Sequence, residues 1–424
     1  MELQTAKGVR DIPSEEKIVK NKVVDTLKEV FEKYGFSPLE TPILERYENL
    51  AAKFAAGEES DALKETFQLT DQGKRKLGLR FDLTVPLSRY IAMNPQLKMP
   101  FKRYEMGIVF RDGPIKIGRY REFTQMDIDT IGTNSMLADA EILATVQESF
   151  KQLKLDIIIK INNRKLLNGV LKQAGIKESE EAIIAIDKLD KIGKEGVVKE
   201  LTERGYKNQQ IETVFSLIKE GITLKQLNGK ITDIEGKEGL VELEELFNYL
   251  TEMNVSQAVF DISLARGLAY YTGTAFEVFL KERAITSSLA GGGRYDKMIG
   301  GFAGGNREVP AVGISFGVAT IMDALILKDK QIRKTVAQVY VIPIRTLTAS
   351  LKIVQQLREK GIKADFDLTQ RGMSKNLDYA SALGIPYVLI IGEKELKEKK
   401  VLLRDMSSGE QNLLTINEVV SKLR

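Results

Sequence analysis

The sequence predicts an α+β fold: an antiparallel-sheet domain that carries a helical insertion, followed by a smaller α/β domain. Three observations predict it. Short strand-like segments with Gly- and Pro-containing connections recur over 64–132 and again over 256–320, the texture of an antiparallel sheet. From about 163 to 250, stretches such as "EEAIIAIDKLDKI" and "NQQIETVFSLIKEGI" carry helical periodicity with few aromatics. After a polar link at 328–334, "KDKQIRK", strand and helix patterns alternate to the end. With 424 residues the chain is too long for a single core, and the expected division is 1–327 and 335–424.

In chain order, residues 14–34 read as an amphipathic helix, with Ile18, Val19, Val23, Val24, Leu27, Val30, Phe31 and Tyr34 recurring at helical spacing, Ser14 as N-cap and Gly35 as stop. "FSPLETPILE" is extended, because Pro38 and Pro42 bar a helix there. "KETFQLTDQ" alternates as a strand, "KRKLGLR" returns after Gly73, and "TVPLSRYIAMN" is helical. Residues 101–132 form strands around the cation-rich loop "RDGPIKIGR". "QAVFDISLA", "TAFEVFLKE", "SSLAGGGRYD" and "VPAVGISFG" continue the sheet. In the last part "AQVYVIPI", "IKADFDL" and "PYVLIIG" are strands, with helices at 347–360 and near 374–383.

Composition narrows the chemistry. Net charge is +4, from 63 basic and 59 acidic residues, too weak to indicate a general nucleic-acid scaffold. No apolar run approaches the ~18 residues of a membrane span, and the polar opening is unlike a signal peptide. There is no cysteine and no histidine. This excludes disulfides, thiol chemistry, the Ser-His-Asp triad and any imidazole base. Catalysis must rest on Arg, Lys, Asp, Glu, Tyr, backbone dipoles or a hard cation.

No Gly-Lys pair is followed by Ser or Thr, so the P-loop is absent, and "GGGRYD" is not GxGxxG. The alternative phosphate binder is an arginine cage. Arg111, Arg119 and Arg121 surround the "DGPIKIG" loop, and Arg266 lies in "SLARGLAYYTG". Their guanidinium forks either grip phosphate oxygens or pair with surface carboxylates. Fixed cations suit nucleotidyl transfer, where charge grows on phosphorus without need of a protein base. Asp82 and Thr84 of "RFDLTVP" join Gln125, Asp127 and Asp129 of "EFTQMDID". In a strand the last three share one face, which is either solvated or the floor of a polar pocket. A carboxylate-lined pocket suits an ammonium group or a heterocycle with N–H donors.

Several motifs together resemble one family. "SLARGLAYYTGTAFEVF" and "SSLAGGGRYDKMIG" resemble the two signature motifs of histidyl-tRNA synthetases, which are class II aminoacyl-tRNA synthetases. "FRDGPIKIGRYREFTQMDID" is similar to class motif 2, "YGFSPLETPILE" to motif 1, which in this class builds the dimer interface, and "KGVRDIPSEE" to the family's start. "GMSKNLDYASALG" with "PYVLIIGEKEL" resembles the C-terminal anticodon-binding domain. The resemblance spans nearly the whole chain.

It implies a class II catalytic domain that activates histidine with ATP and Mg2+ and esterifies tRNA(His), in a cytoplasmic homodimer without a resident metal. It places Arg111 and Arg266 on the ATP α-phosphate as the catalytic cations and Arg119 near the triphosphate. Asp82, Thr84 and Gln125 would hold the α-ammonium, Asp129 and Tyr271 would read the imidazole nitrogens, and Tyr295 would close the pocket. Tyr270, pointing the other way, is assigned to packing. Three departures stand out. Gly113 occupies the position where motif 2 usually has a glutamate contacting adenine. Thr320 stands where motif 3 ends in an arginine on ATP. Thr124 and Met126 replace an aromatic or histidine and a cysteine. The competing expectation is a non-catalytic paralogue resembling the ATP phosphoribosyltransferase regulatory subunit; residues 335–424 and the intact "ARGLAYYTG" weigh against it.

Overall fold

Eight strands form the main sheet of the structure, a computed structural model that describes residues 3–52, 64–115, 120–177, 179–219, 221–266, 270–282, 284–304, 308–328 and 333–424. From edge to edge the strands are 37–38, 101–110, 122–131, 311–317, 290–294, 274–280, 157–163 and 258–260. The two outermost pairings are parallel and the five between them antiparallel. The expected antiparallel sheet is therefore present, with a parallel strand on each edge.

The register explains the sheet's two faces. Arg103, Glu105 and Gly107 stand opposite Asp129, Asp127 and Gln125. Those three stand opposite Gly313, Ser315 and Gly317, and Gly313 and Ser315 in turn face Gly293 and Gly291. Directly paired residues lie on the same side of a sheet, so one face presents charged groups beside a field of glycine and serine. Its small side chains leave room above the strands. The intervening positions, Met126, Ile128, Ile314 and Phe316, are buried and apolar. Phe316 packs at 5.2 Å from Phe31 of helix Ser14–Lys33 and at 5.8 Å from Phe150 of helix Met136–Gln152. Those helices cover one face; on the other, helices Thr84–Met93 and Met298–Phe302 pack over Ile131 and Ala311 at one end and leave the rest open.

Helix Ser14–Lys33 starts one residue earlier than its sequence suggests. The Pro13 carbonyl accepts from Lys17 N at 2.8 Å, which makes Pro13 the capping position and puts Ser14 in the first turn. Helix Met136–Gln152 and strand Ile157–Asn163 carried no sequence expectation. The helical stretch runs from Arg164 to Glu252 and lies between parallel strands 157–163 and 258–260. Within it helices Arg164–Gln173 and Ile234–Glu252 cross where Gly169 meets Gly236; a Cβ on Gly169 would overlap the Gly236 backbone. Strands 44–46, 76–79 and 68–70 make a separate three-stranded sheet.

The chain divides into two compact units, residues 1–10 with 23–325 and residues 11–22 with 326–424. The second has a five-stranded sheet in the order 364–366, 339–343, 387–391, 401–405, 411–414. Its first three strands are parallel, as the alternating pattern predicts; the hairpin 401–414 is antiparallel and went unread. Cores form on both faces, one around Val341, Leu357 and Leu389, the other around Tyr340, Ala380 and Ile390. Part of the 328–334 link lies outside the described residues.

Candidate active site

The open face of the main sheet floors a cleft of about 860 Å³. Asp82, Thr84, Arg111, Gln125, Asp129, Arg266, Tyr271 and Tyr295 all line it. Eight of the nine residues singled out from sequence are thereby brought together from five separate segments. The ninth, Arg119, lies outside the described residues.

The floor is acidic and buried. Gln125, Asp127 and Asp129 are 8%, 2% and 2% exposed, so their shared face is a pocket floor and not a solvated edge. Tyr295 donates its hydroxyl to Asp129 Oδ1 at 2.5 Å, and Arg103 Nη2 lies 2.9 Å from Oδ2. Asp129 comes so close to the next strand that a Cβ on Gly313 would overlap its Oδ1. Burial raises the Asp129 carboxyl above its usual range, against the pull of Arg103 and Tyr295. Burial likewise pushes Tyr295 well above an ordinary phenol, which keeps it a proton donor at neutral pH.

Asp127 was noticed in the sequence but given no role. It lines the cleft, its Oδ1 has no hydrogen-bond partner, and burial raises it well above the carboxylate range, opposed chiefly by Arg103. Gln125 Oε1 is also unpaired. Buried unpaired acceptors are costly, and two on one floor await donors. Arg103 was missed altogether. It is fully buried, donates to the Leu83 carbonyl at 3.1 Å and has Nη1 3.6 Å from Glu105. Glu105 is held in turn by Arg80 at 2.9 Å and by Thr41. The alternation Arg103-x-Glu105, opposite charges on one face of a strand that is apolar from Met106 on, was the available signal.

The three glycines of "GGGRYD" each remove a Cβ for a different neighbour. At Gly291 it would strike the Arg266 guanidinium, at Gly292 the Gly313 carbonyl, and at Gly293 the Thr274 carbonyl and the Tyr271 ring. Arg266 has φ +32°, a left-handed backbone uncommon for arginine. Its Nη1 donates to the carbonyls of Phe276 at 3.2 Å and Gly292 at 3.4 Å, and its guanidinium sits 5.4 Å from the Tyr271 ring centroid. Arg111 spends only Nε on the protein, donating to the Phe81 carbonyl at 3.1 Å, and lies over Phe123. Its Nη atoms have no hydrogen bond to another described residue. Arg121 took the other course open to these cations and pairs with Asp112 at 2.8 Å. Tyr270 both packs on the apolar cluster around Phe81 and Tyr295 and lines the cleft, so packing is half of its placement.

Arg294 of the same motif is structural. It donates to Asp139 at 2.7 Å and to the carbonyls of Thr133 and Ser135, fastening strand 290–294 to the start of helix 136–152; Thr274 donates to the other Asp139 oxygen.

At the cleft's edge, Asp82 Oδ1 accepts from Val85 N at 3.0 Å at the start of helix Thr84–Met93. Burial raises this carboxyl to about 6, partly opposed by the Val85 amide and by Arg111. A raised carboxyl contributes stability in full below its unfolded value of about 3.9 and loses it as pH rises through about 6. Asp82→Asn keeps the accepted hydrogen bond and removes the charge. The unliganded variant should be more stable than the parent by about 2–3 kcal/mol at pH 8. That gap should close as pH falls toward 4. Urea melts across this range test it, and a pH-independent difference would contradict it.

A buried acidic floor, two guanidinium groups lining the same cleft and a helix start have the chemistry to suit a cationic amine beside an anion. An antiparallel sheet bearing such a cleft is the architecture of a class II aminoacyl-tRNA synthetase. The Histidyl-tRNA synthetase family model matches residues 8–321 and the Anticodon binding domain model residues 338–424. Histidine–tRNA ligase 1 of Bacillus cereus is 44% identical over 427 residues, covering 99% of each chain. The crystal structure of histidyl-tRNA synthetase from Nostoc sp. PCC 7120 is 32% identical and superposes with a TM-score of 0.87, covering 100% of this chain and 99% of that one. An ATP phosphoribosyltransferase regulatory subunit/histidyl-tRNA synthetase from Bacillus halodurans C shares the fold at 22% identity, TM-score 0.74, covering 90% and 97%. The chain belongs to the histidyl-tRNA synthetase family.

Proposed function

We propose that the chain is a histidine–tRNA ligase: it joins histidine to ATP as histidyl-adenylate with release of diphosphate, then transfers the histidyl group to the 3′-terminal adenosine of tRNA(His) with release of AMP. The observation that carries this reading is the acidic floor within the same cleft as two partly uncommitted guanidinium groups. Asp82, Thr84 and Gln125 receive the α-ammonium, with Asp127 as a further carboxylate facing it. Asp129 and Tyr271 take the two ring nitrogens, and Tyr295 holds Asp129 in place. The histidine carboxylate attacks the α-phosphorus. Arg111 and Arg266 neutralise the charge that grows on the phosphoryl oxygens, and the diphosphate leaves without a proton being moved by the protein. The family resemblance assigns Arg119, outside the described residues, to the triphosphate.

A floor whose carboxylate and phenol expect ring N–H and N partners rejects amino acids lacking them by roughly 10⁴-fold or more. Mg2+ would accompany ATP and neutralise part of its charge. Among the described residues no group of three or more acidic side chains forms a metal cage. A phosphate-held Mg2+ that keeps several waters fits that setting.

The catalytic part is assigned to 1–327, with the insertion at 163–250, and tRNA anticodon binding to 335–424. A homodimer in the cytoplasm completes the reading. The motif 1 segment begins at the edge of the main sheet, where Ser37 and Pro38 pair with Arg103 and Tyr104, and runs on to the exposed Ile43 and Leu44, where it enters the three-stranded sheet. No described helix is long and apolar enough to cross a membrane. The regulatory-subunit alternative is the weaker one, because an anticodon-binding match covers 338–424.

Pyrophosphate exchange measured with each of the twenty amino acids tests the proposal. Exchange is expected with histidine alone. Equal exchange with alanine, or without any amino acid, would refute it.

A further inference from the structure

We propose that Glu65 is the residue that reads the nucleotide base in this cleft. The inference rests on the ligase reading above and adds a specificity-determining residue to it.

Four observations converge on Glu65. Its backbone carbonyl accepts from Asp112 N at 2.7 Å, which ties the segment before strand 68–70 to the loop that leaves strand 101–110. Its carboxylate fills the space beside Gly113: a Cβ there would overlap Oε1 and lie 2.6 Å from Cδ and 2.8 Å from Oε2. Glu65 and Gly113 both line the cleft, together with Pro114, Tyr120 and Phe123. Among the described residues the carboxylate of Glu65 has no hydrogen bond and no ion pair. A half-buried carboxylate held at a cleft wall without a partner is a free acceptor.

The layout of the cleft says what it accepts. The buried acidic floor takes the amino acid, and Arg111 and Arg266 take the phosphates. The base then falls beyond Arg111 along its own chain, where Gly113, Pro114 and Phe123 line the cleft together with Glu65. Adenine offers an exocyclic amine with two N–H donors. Guanine carries a carbonyl at the same ring position, which a carboxylate repels. Glu65 therefore accepts from the adenine amine and discriminates against a 6-oxo purine, and Gly113 is small because the carboxylate occupies its side-chain space.

The test measures histidine-dependent exchange with ATP and with GTP for the parent, Glu65→Ala and Glu65→Gln, and histidine affinity for each by calorimetry. The expected result is a rise in KM for ATP of about 10- to 100-fold, with a matching loss of preference for ATP over GTP. Histidine affinity should stay within about twofold, since the acidic floor is untouched. Adding Gly113→Glu to Glu65→Ala returns a carboxylate to the same space from the opposite wall and should restore most of the ATP preference. An unchanged KM for ATP and an unchanged ATP:GTP ratio in Glu65→Ala would overturn the proposal. Failure of the parent protein to exchange with histidine would instead overturn the ligase reading.

Discussion

Arg266→Ala is expected to lower histidine-dependent pyrophosphate exchange by about 10²- to 10³-fold while weakening ATP binding far less. The reason lies in how the guanidinium is fixed. A strained φ of +32°, two backbone carbonyls and the Tyr271 ring hold it before any substrate arrives. Gly291 leaves room for it, since a Cβ there would strike the guanidinium. Burial opposes its charge, yet the surrounding Tyr271, Glu277 and Tyr270 more than offset this and keep it firmly protonated. A preset cation stabilises the charge that develops on phosphorus more than the ground state, so its loss falls on the chemical step. Arg266→Lys should recover little, since a single ammonium cannot reproduce the fork. Single-turnover adenylate formation together with equilibrium ATP binding separates the two effects. Equal losses in both would show that Arg266 merely helps to bind the nucleotide.

Arg103→Met is expected to cost about 3–5 kcal/mol of stability, the largest effect of any single substitution discussed. Arg103 is fully buried beneath the cleft, where burial opposes its charge and Asp129, Asp127 and Glu105 hold it protonated. Removing it leaves those carboxylates close together in a buried floor. They would respond by taking up protons, so the loss should be greatest at high pH and shrink in mild acid. Denaturant melts at pH 8 and pH 5.5 give the comparison. A stability change below about 1 kcal/mol at pH 8 would mean that water reaches the floor and screens it. Histidine affinity should fall in parallel, because Asp129 loses the partner on its Oδ2.

Particular residues show how far the sequence could be read. Alternation in "EFTQMDID" put Gln125, Asp127 and Asp129 on one side of a strand, and the structure buries all three on the cleft floor. Whether that side met water or substrate was open, because period-2 spacing fixes relative direction and nothing more. Arg111 and Arg121 looked alike in sequence. One lines the cleft and the other pairs with Asp112. Helix Met136–Gln152 was passed over although its buried Asp139 anchors the second signature motif through Arg294. A carboxylate and a guanidinium 155 residues apart in sequence give no sign of their pairing.

Composition and motif spacing by themselves narrowed the class of chemistry: no imidazole, no thiol, no P-loop, hence fixed cations and carboxylates on one face of a strand in an antiparallel sheet, with the surroundings of both left open. These are matters of residue type and short-range order, which a chain displays openly. Only the tertiary structure decided which cations face the cleft, that Arg103 braces its floor, and that Glu65 stands in the space Gly113 leaves. Each of those depends on strands distant in sequence coming to lie side by side. Gly113 is the clearest case: in the sequence it is a missing carboxylate, and in the fold it is the gap that another segment's carboxylate fills.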